Sequence, residues 1–289
     1  MSLRKVFRAR LSEPEAVLAP LVLDPLMACT AANEGFEALY LGGGAMGYAK
    51  TVLEANLGLS EMCHIGTEII AAANRALILD GAAGWGDAMH QRRTTRMAEA
   101  AGFVAIEIED QLLPKRAHHH IGIEHMIPAE LMAAKVKEAV RARRDEDFLI
   151  IARTNGIRVA DRDEAVRRLE IYKHAGADAL LSGARDPETL RFMAERLPAP
   201  LVCLLPSGGL HELDMSLEDI SALGYKLLCD TQTALFVQYQ AAKAFYRSLK
   251  ASGRVAPPPG INWKSIQDEI HDTIDLEGLL QIERDTVEK

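Results

Sequence analysis

Short apolar segments alternate with longer amphipathic segments along most of the chain. The apolar segments are three to five residues long and apolar at nearly every position, which is typical of strands buried on both faces of a parallel sheet. They lie at residues 19–23, 38–41, 76–79, 104–108, 148–152, 179–181, 201–205 and 226–229. The stretches between them have helical spacing, and residues 128–144 begin with proline and end with basic side chains, as helix termini favour. Eight strands that alternate with helices predict an α/β fold, a (β/α)8 TIM barrel.

The end of the chain departs from this alternation. A helix predicted over residues 231–250 is followed by three prolines and a glycine at residues 257–260, which interrupt regular structure. A last helical pattern covers residues 263–287. We therefore expect residues 1–250 to form a barrel catalytic domain, and residues 251–289 to form a C-terminal helical extension that packs on the barrel or on a neighbouring subunit.

Composition and charge argue against several classes of function. The chain has 289 residues and a formal net charge of −8, which suits one barrel and disfavours a nucleic-acid partner. The four cysteines form no CxxC pair, so neither a zinc site nor a disulfide framework is indicated. No apolar segment approaches about 20 residues, and the first residues lack the pattern of a secretory signal. We expect a cytoplasmic protein that has no membrane partner.

Charged residues stand where three of the predicted strands end. Asp80, Glu109 and Arg153 each follow directly on an apolar segment, and the active site of a TIM barrel lies at this end of the strands. Glu107 shares a face with Glu109 because side chains alternate along a strand. The carboxylates suit a hard cation such as Mg²⁺, and the guanidinium suits a carboxylate or phosphoryl group. Two simpler roles stay open: Asp80 could cap the next helix, and Arg153 could form a structural salt bridge.

Two loops beside these strands add candidate binding groups. Residues 42–44 are glycines, whose backbone can approach a ligand and offer N–H groups to an anion, although a flexible turn explains them equally well. The loop after strand four holds Lys115, Arg116 and three histidines at residues 118–120. Adjacent histidines are poorly placed to converge on one metal. We expect a solvated or gating loop whose Lys115 and Arg116 meet substrate carboxylates when it closes.

The order of these motifs resembles that of the isocitrate lyase/phosphoenolpyruvate mutase superfamily. Its members carry Tyr-Leu-Ser-Gly-Gly at strand two, Asp-x-Asp-x-Gly-Tyr-Gly at strand three and Ile-Glu-Asp-Gln at strand four. A Lys-Arg-Cys-Gly-His loop and Ala-Arg-Thr-Asp at strand five follow. The corresponding residues here are 40–44, 80–86, 108–111, 115–119 and 152–155. Each motif is weak alone, but their joint order is specific.

The resemblance implies a lyase that acts on small 2-oxo or 2-hydroxy acids through an enolate stabilised by Mg²⁺ or Mn²⁺. By carry-over, the metal ligands are Asp80 and Glu109, and the catalytic residues are Lys115, His119 and Arg153. The substrate would be held by Tyr40, Gly43, Gly44, Trp85 and Arg153. The resemblance also implies that the last helix is swapped between subunits of a homodimer or homotetramer.

Four of the differences between this chain and the family pattern bear on the chemistry of the site. Ala82 replaces the second strand-three carboxylate, Gly42 replaces a serine, and Asn56 aligns with a loop aspartate. Ala117 replaces the cysteine that serves isocitrate and methylisocitrate lyases as general acid, and such a loss costs about 10²–10⁴-fold in rate. We therefore expect a lyase other than isocitrate lyase. The two missing carboxylates predict weak binding of Mg²⁺.

Three functions are compatible with these residues. The first, which we favour, is a carbon–carbon lyase or decarboxylase that acts on a small oxo acid. The second is a phosphonopyruvate-type mutase or hydrolase, whose known members also lack the cysteine but keep the carboxylates missing here. The third is a catalytically degraded barrel that only binds a carboxylate ligand.

Overall fold

Eight parallel strands form the sheet of the protein. The structure is a computed structural model that describes residues 2–288. The strand order is β1-β8-β7-β6-β5-β4-β3-β2, and each neighbouring pair is parallel, so the predicted (β/α)8 TIM barrel is confirmed. The strands are β1 Val17–Ala19, β2 Ala38–Leu41, β3 Ala76–Asp80, β4 Ala105–Glu109, β5 Leu149–Arg153, β6 Ala179–Leu181, β7 Leu201–Leu205 and β8 Tyr225–Asp230.

The barrel closes between β1 and β2 through a short bridge. The strand predicted at residues 19–23 begins and ends earlier, because Pro20 has no N–H to continue the ladder. The Pro20 carbonyl instead accepts from the Tyr40 N–H at 2.9 Å, and the Val22 N–H donates to the Tyr40 carbonyl at 3.0 Å. Tyr40, one of the candidate site residues, is thereby fixed at the seam.

The helices follow the strands in the predicted alternation, with three short 3₁₀ turns at Glu54–Asn56, Ala117–Ile121 and Gly209–Leu213. The helices are α1 Leu3–Arg10, α2 Pro25–Asn33, α3 Gly43–Ala49, α4 Leu59–Ala73, α5 Ala88–Ala100, α6 Ala129–Ala142, α7 Gly156–Val159, α8 Arg162–His174, α9 Pro187–Ala194, α10 Leu217–Ala222, α11 Thr233–Ser252, α12 Trp263–Thr273 and α13 Leu276–Thr286.

The C-terminal helical stretch predicted at residues 263–287 is two helices. Asp275 separates them because it adopts a left-handed conformation with φ of 54°, and its side chain accepts from the Gly278 N–H at the start of α13. Neither these helices nor any other within residues 2–288 combines the length and apolar character needed to cross a membrane.

The chain divides into two compact units within α11. One unit ends at Leu235 and contains the barrel, and the other begins at Phe236 and contains most of α11 with α12 and α13. The domain boundary predicted after residue 250 stays a prediction. The second unit exposes several large apolar side chains: Tyr239, Tyr246, Trp263, Leu279 and Ile282.

The barrel interior is apolar at its amino end and charged at its carboxyl end. Inward positions alternate along each strand, so that Leu149, Ile151 and Arg153 of β5 point to the same side. The first two belong to a buried cluster on which Phe7 and Leu11 of the α1 segment pack. The last inward residue of β5 is the charged Arg153 rather than an apolar residue. The candidate site lies in this layer of the barrel.

Candidate active site

A small polar cavity of about 110 Å³ lies at the carboxyl ends of the strands. The candidate residues Tyr40, Gly44, Asp80, His119 and Arg153 all line it. The other lining residues are Gly42, Ala45, Tyr48, Glu54, His120, Arg185, Leu204, Thr231 and Gln232. Most of the predicted site is therefore gathered in one place.

Asp80 ends β3 and is held by two backbone N–H groups. Its Oδ2 accepts from the Gly43 N–H at 2.9 Å, and its Oδ1 accepts from the Ala82 N–H at 3.0 Å. We predicted that the Gly43 N–H would hold substrate, but it donates its hydrogen bond to Asp80 instead. Asp80 is not a cap of the next helix, because Asp87 occupies the N-cap of α5.

Glu54 is a site carboxylate that the sequence reasoning missed. It lies in the 3₁₀ turn after α3, is only 8% exposed, and lines the same cavity as Asp80. A Cβ atom on Gly43 would lie 2.8 Å from its Oε1, so glycine at that position is what lets Glu54 reach the cavity. Asn56 is exposed instead, and its Oδ1 accepts from the Leu53 N–H at 3.3 Å. The family has carboxylates at positions 56 and 82 that this chain lacks. Glu54 therefore supplies one carboxylate in place of these two.

Lys115 joins the loop after β4 to the site. Its Nζ donates to Oε2 of Glu54 and to Oε1 of Glu109, each at 2.5 Å, and its side chain is 5% exposed. Burial lowers the pKa of Lys115, but Glu109 and Glu54 outweigh burial and raise it above the usual lysine value. Lys115 therefore stays charged, between a strand carboxylate and a loop carboxylate.

Arg153 is paired with β4 through both inward glutamates. Its Nη1 donates to Oε1 of Glu107 at 2.8 Å, and its Nε lies 3.2 Å from Oε2 of Glu109. The structural salt bridge that we kept open as an alternative is thus present. The Nε makes no hydrogen bond because its geometry toward Glu109 is poor. Arg153 therefore combines a structural pairing with N–H groups that remain for a ligand.

Further hydrogen bonds fix these two glutamates. Tyr40 donates its hydroxyl to Oε2 of Glu107 at 3.0 Å, and Asn155 donates its side-chain amide to Oε2 of Glu109 at 2.8 Å. The Asn155 backbone N–H in turn donates to the buried Asp110 at 3.1 Å. Glu107 is therefore held from β2 across the barrel and Glu109 from the end of the neighbouring β5, so the barrel itself sets their positions.

The site has an excess of negative charge. Burial, with repulsion from Asp80, raises the pKa of Glu54 from 4.5 to about 8 despite the nearby Lys115. Burial also raises the pKa of Glu107 to about 7, although Arg153 opposes it. Burial has the same tendency at Glu109, but there the charges of Arg153 and Lys115 outweigh it and hold the pKa well below the usual range. Asp80 and the three glutamates thus face two paired cations.

These residues fit a divalent cation. Oε1 of Glu54 is buried and has no hydrogen-bond partner, and an unpaired buried carboxylate oxygen is costly. Within residues 2–288, no three His, Cys, Asp or Glu side chains form a ready metal cluster. Mg²⁺ does not need one, because it keeps several waters and binds through one or two carboxylates. Asp80 and Glu54 supply such oxygens beside Gly43.

The three adjacent histidines have separate partners. His119 lies 2.8 Å from Oε1 of Glu124 through its Nδ1, and His120 lies 2.9 Å from the Tyr48 hydroxyl. His118 contacts His125 at 3.0 Å. As expected from the sequence, the three histidines do not converge on one point. His119 and His120 line the cavity, and His118 does not.

A second, larger cavity of about 550 Å³ adjoins the first, because Glu54 lines both. Trp85 lies in this second cavity rather than beside Asp80, and its Nε1 donates to the Leu57 carbonyl at 2.8 Å. The remaining lining is largely apolar, with Ala82 at the position where the family has a carboxylate.

Sequence signals for the two missed residues were weak. Glu54 stands two positions before Asn56, which the family motif aligns with its loop aspartate. Arg185 comes four residues after the last residue of β6, so no apolar segment ends on it. Its charge in a segment that follows a barrel strand was the only available signal.

Comparisons with known proteins agree with the fold and the motifs. Residues 7–250 match the family model described as phosphoenolpyruvate phosphomutase. An oxaloacetate decarboxylase from Chromohalobacter salexigens is 35% identical over 257 residues, which cover 88% of this chain and 86% of the relative. A 2,3-dimethylmalate lyase from Eubacterium barkeri is 31% identical over 281 residues, or 96% of this chain and 95% of the relative.

A solved structure of a phosphonopyruvate hydrolase, in complex with oxalate and Mg²⁺, has a TM-score of 0.86 to this chain at 25% identity. The match covers 99% of this chain and 100% of that one. The family model spans most of the chain, and both relatives are more than 30% identical over nearly their whole length. The chain therefore belongs to the isocitrate lyase/phosphoenolpyruvate mutase superfamily.

Proposed function

We propose that this protein cleaves a carbon–carbon bond, by lysis or decarboxylation, in a small 2-oxo or 2-hydroxy carboxylic acid. The observation that carries the proposal is the polar cavity lined by Asp80, Glu54 and Arg153, with Lys115 paired to Glu54 beside it. Such a cavity can hold an acid by its carboxylate and stabilise negative charge on its neighbouring oxygen. The oxaloacetate decarboxylase and the 2,3-dimethylmalate lyase among its relatives support the same reaction class.

A divalent cation, Mg²⁺ or Mn²⁺, belongs to this proposal. Asp80 and Glu54 would hold it, with Glu109 behind them through Lys115. When bound, the ion would act as a Lewis acid on the oxygens of the substrate. The phosphonopyruvate hydrolase structure with oxalate and Mg²⁺ supports this choice of metal.

The residues of the chain have distinct tasks around the substrate. Arg153 binds the carboxylate with the N–H groups that its strand partners leave free. Lys115, which stays charged, donates hydrogen bonds toward the oxygen on which an enolate develops. Tyr40 positions Glu107 and stays neutral, because burial raises the pKa of its hydroxyl well above the usual value. Closure of the loop that carries Lys115 and His119 would exclude water from the enolate.

Ala117 favours decarboxylation over lysis of a tricarboxylic acid. Aldol-type lysis leaves one fragment as an oxo acid and the other as a carbanion, which an acid must protonate, and the loop has no thiol at this position. In the decarboxylation of a 3-carboxy-2-oxo acid, the bond electrons move into the enolate and CO2 leaves without a proton. The enolate then takes a proton from water to give the product.

The test is a panel of 2-oxo and 2-hydroxy acids, incubated with the protein and Mg²⁺ and followed by NMR. We expect formation of pyruvate or a substituted pyruvate from at least one acid. Conversion of phosphonopyruvate alone, seen by phosphorus NMR, would assign the second function instead. Binding of oxalate by calorimetry without any turnover would assign the degraded barrel.

We also propose that the protein is a homodimer or homotetramer. The unit that begins at Phe236 exposes many large apolar side chains, among them Tyr246, Trp263 and Ile282, and we infer that a partner subunit covers them. Light scattering after size-exclusion chromatography should give a mass of two or four chains, whereas a single-chain mass at micromolar concentration would contradict the proposal.

A further inference from the structure

Arg185 brings an additional cation to the active-site cavity. It follows β6, the neighbour of the β5 strand that carries Arg153, and it lines the same cavity as Asp80 and Glu54. Arg185 is exposed at the cavity rim. A ligand that enters from solvent can therefore reach this guanidinium without any rearrangement of the barrel.

Arg185 differs from the arginines around it because it has no partner. Within residues 2–288 it makes no hydrogen bond and no ion pair, whereas Arg153 pairs with Glu107 at 2.8 Å and Arg158 pairs with Glu124 at 2.9 Å. Partial enclosure of the guanidinium lowers the pKa of Arg185, and the charges of Arg158 and Arg153 lower it further. The side chain is thus held among positive neighbours, where an anion would be favoured.

The carboxylates of the site lie on other strands. Asp80 is on β3 and Glu109 is on β4, whereas Arg185 follows β6, two strands beyond β4 in the sheet order. The strand carboxylates therefore lie toward β3 and β4, whereas Arg153 and Arg185 lie toward β5 and β6. A ligand that has one end at Asp80 and Arg153 and extends toward β6 would bring its other end next to Arg185. A second anionic group at that end would therefore meet a cation.

We propose that Arg185 binds the second carboxylate of a dicarboxylic acid substrate, while the 2-oxo or 2-hydroxy acid end lies at Asp80 and Arg153. This inference rests on the proposed function and narrows its substrate class. The planar fork of a guanidinium matches a carboxylate through two parallel hydrogen bonds. A dianion also needs such a cation, because the other carboxylates of the site would repel it. The small volume of about 110 Å³ limits the substrate to a short acid.

The experiment compares ligands that differ only in the second carboxylate. Malate and 2-hydroxybutanoate are titrated calorimetrically in the presence of Mg²⁺ into the wild-type protein and into Arg185→Gln. Oxalate, which is too short to reach beyond the Asp80 and Arg153 end, is titrated as a probe of that end. Arg93→Gln removes an equal charge from an exposed position on α5 and serves as the control.

We expect Arg185→Gln to weaken malate binding about 10- to 100-fold, the usual effect of losing hydrogen bonds to a charged group. Oxalate and 2-hydroxybutanoate should bind this variant as they bind the wild-type protein. Arg185→Lys should retain part of the malate affinity, because the charge remains without the planar fork.

Three outcomes would overturn the inference. Unchanged malate affinity in Arg185→Gln, with oxalate still bound, would remove Arg185 from the substrate site and leave the proposed function intact. If 3-phosphonopyruvate, titrated in the same way, binds Arg185→Gln more weakly than the wild-type protein while malate binding is unchanged, the second anionic group is a phosphonate. If the wild-type protein binds neither oxalate nor malate, both the proposed function and this inference are refuted.

Discussion

Replacing Glu54 by glutamine removes one buried negative charge and keeps the shape of the side chain. The amide oxygen of glutamine can still accept from Lys115, so the loop contact is retained. The carboxylate oxygen beside Gly43, which has no hydrogen-bond partner, is lost as a metal ligand. The change therefore separates the contribution of Glu54 to the fold from its contribution to the binding of a cation.

The loss of the Glu54 carboxylate should raise stability in the absence of metal and should reduce the stabilisation that Mg²⁺ provides. The pKa of Glu54 is raised from 4.5 to about 8 in the folded protein, so the folded state holds a proton that the unfolded state has released. Stability therefore falls as pH rises through this window, by about 1.4 kcal/mol per unit. Glu54→Gln has no such group to ionise. Without divalent ions it should be a few kcal/mol more stable than the wild-type protein at pH 9.

Mg²⁺ should narrow that difference. A ligand at 100 times its dissociation constant stabilises the folded state by about 2.7 kcal/mol, and a tenfold weaker site gains only about 1.4 kcal/mol. In the wild-type protein the ion must displace the proton on Glu54, so its affinity should rise with pH up to about 8 and then level off. The affinity of Glu54→Gln should be weaker and show less of this pH dependence.

Urea unfolding followed by circular dichroism, at pH 7 and pH 9 with and without MgCl2, measures both effects. Asn56→Asp is the matched control: it restores the family carboxylate at an exposed position whose side chain caps the Leu53 N–H, and it should leave the Mg²⁺ effect unchanged. The reasoning is refuted if Glu54→Gln keeps the full stabilisation by Mg²⁺, or if Asn56→Asp alone increases it.

Two further changes test the cations of the site. Lys115→Met removes the charge that competes with metal for Glu54, so calorimetry should find tighter Mg²⁺ binding while turnover of the best substrate falls at least about 100-fold; weaker metal binding would contradict this role. Arg153→Met leaves Glu107 buried without its cation and Glu109 with Lys115 alone, and it should lower the free energy of unfolding by about 3–5 kcal/mol. A urea-measured loss below about 1 kcal/mol would mean that Arg153 does not hold the two strands together.

The fold and half of the site followed from local sequence pattern. Asp80, Glu109 and Arg153 could be placed because each ends an apolar strand, and barrel topology brings such positions to one end. Alternation along β4 also put Glu107 on the inward face, which the structure confirms. These inferences need only the period of a strand and the rule for where barrel sites lie.

The rest depended on tertiary contacts that no local pattern encodes. Glu54 reaches the cavity because the turn after α3 packs against Gly43, where a side chain would block it. A motif alignment favoured Asn56, which points to solvent. Trp85 matched its motif but lies in the adjoining cavity, because its indole N–H is tied to Leu57.

The central claim is that the pocket around Asp80 and Glu54 uses a divalent cation to cleave a short oxo acid. The most direct measurement is the Mg²⁺-dependent release of pyruvate and CO2 from oxaloacetate by the wild-type protein and by Asp80→Asn, with the exposed Asp87→Asn as control. We expect turnover by the wild-type protein and by Asp87→Asn that EDTA abolishes, and at least about 100-fold less by Asp80→Asn. Equal rates for Asp80→Asn and the wild-type protein, or rates no higher than with Mg²⁺ alone, would contradict the claim.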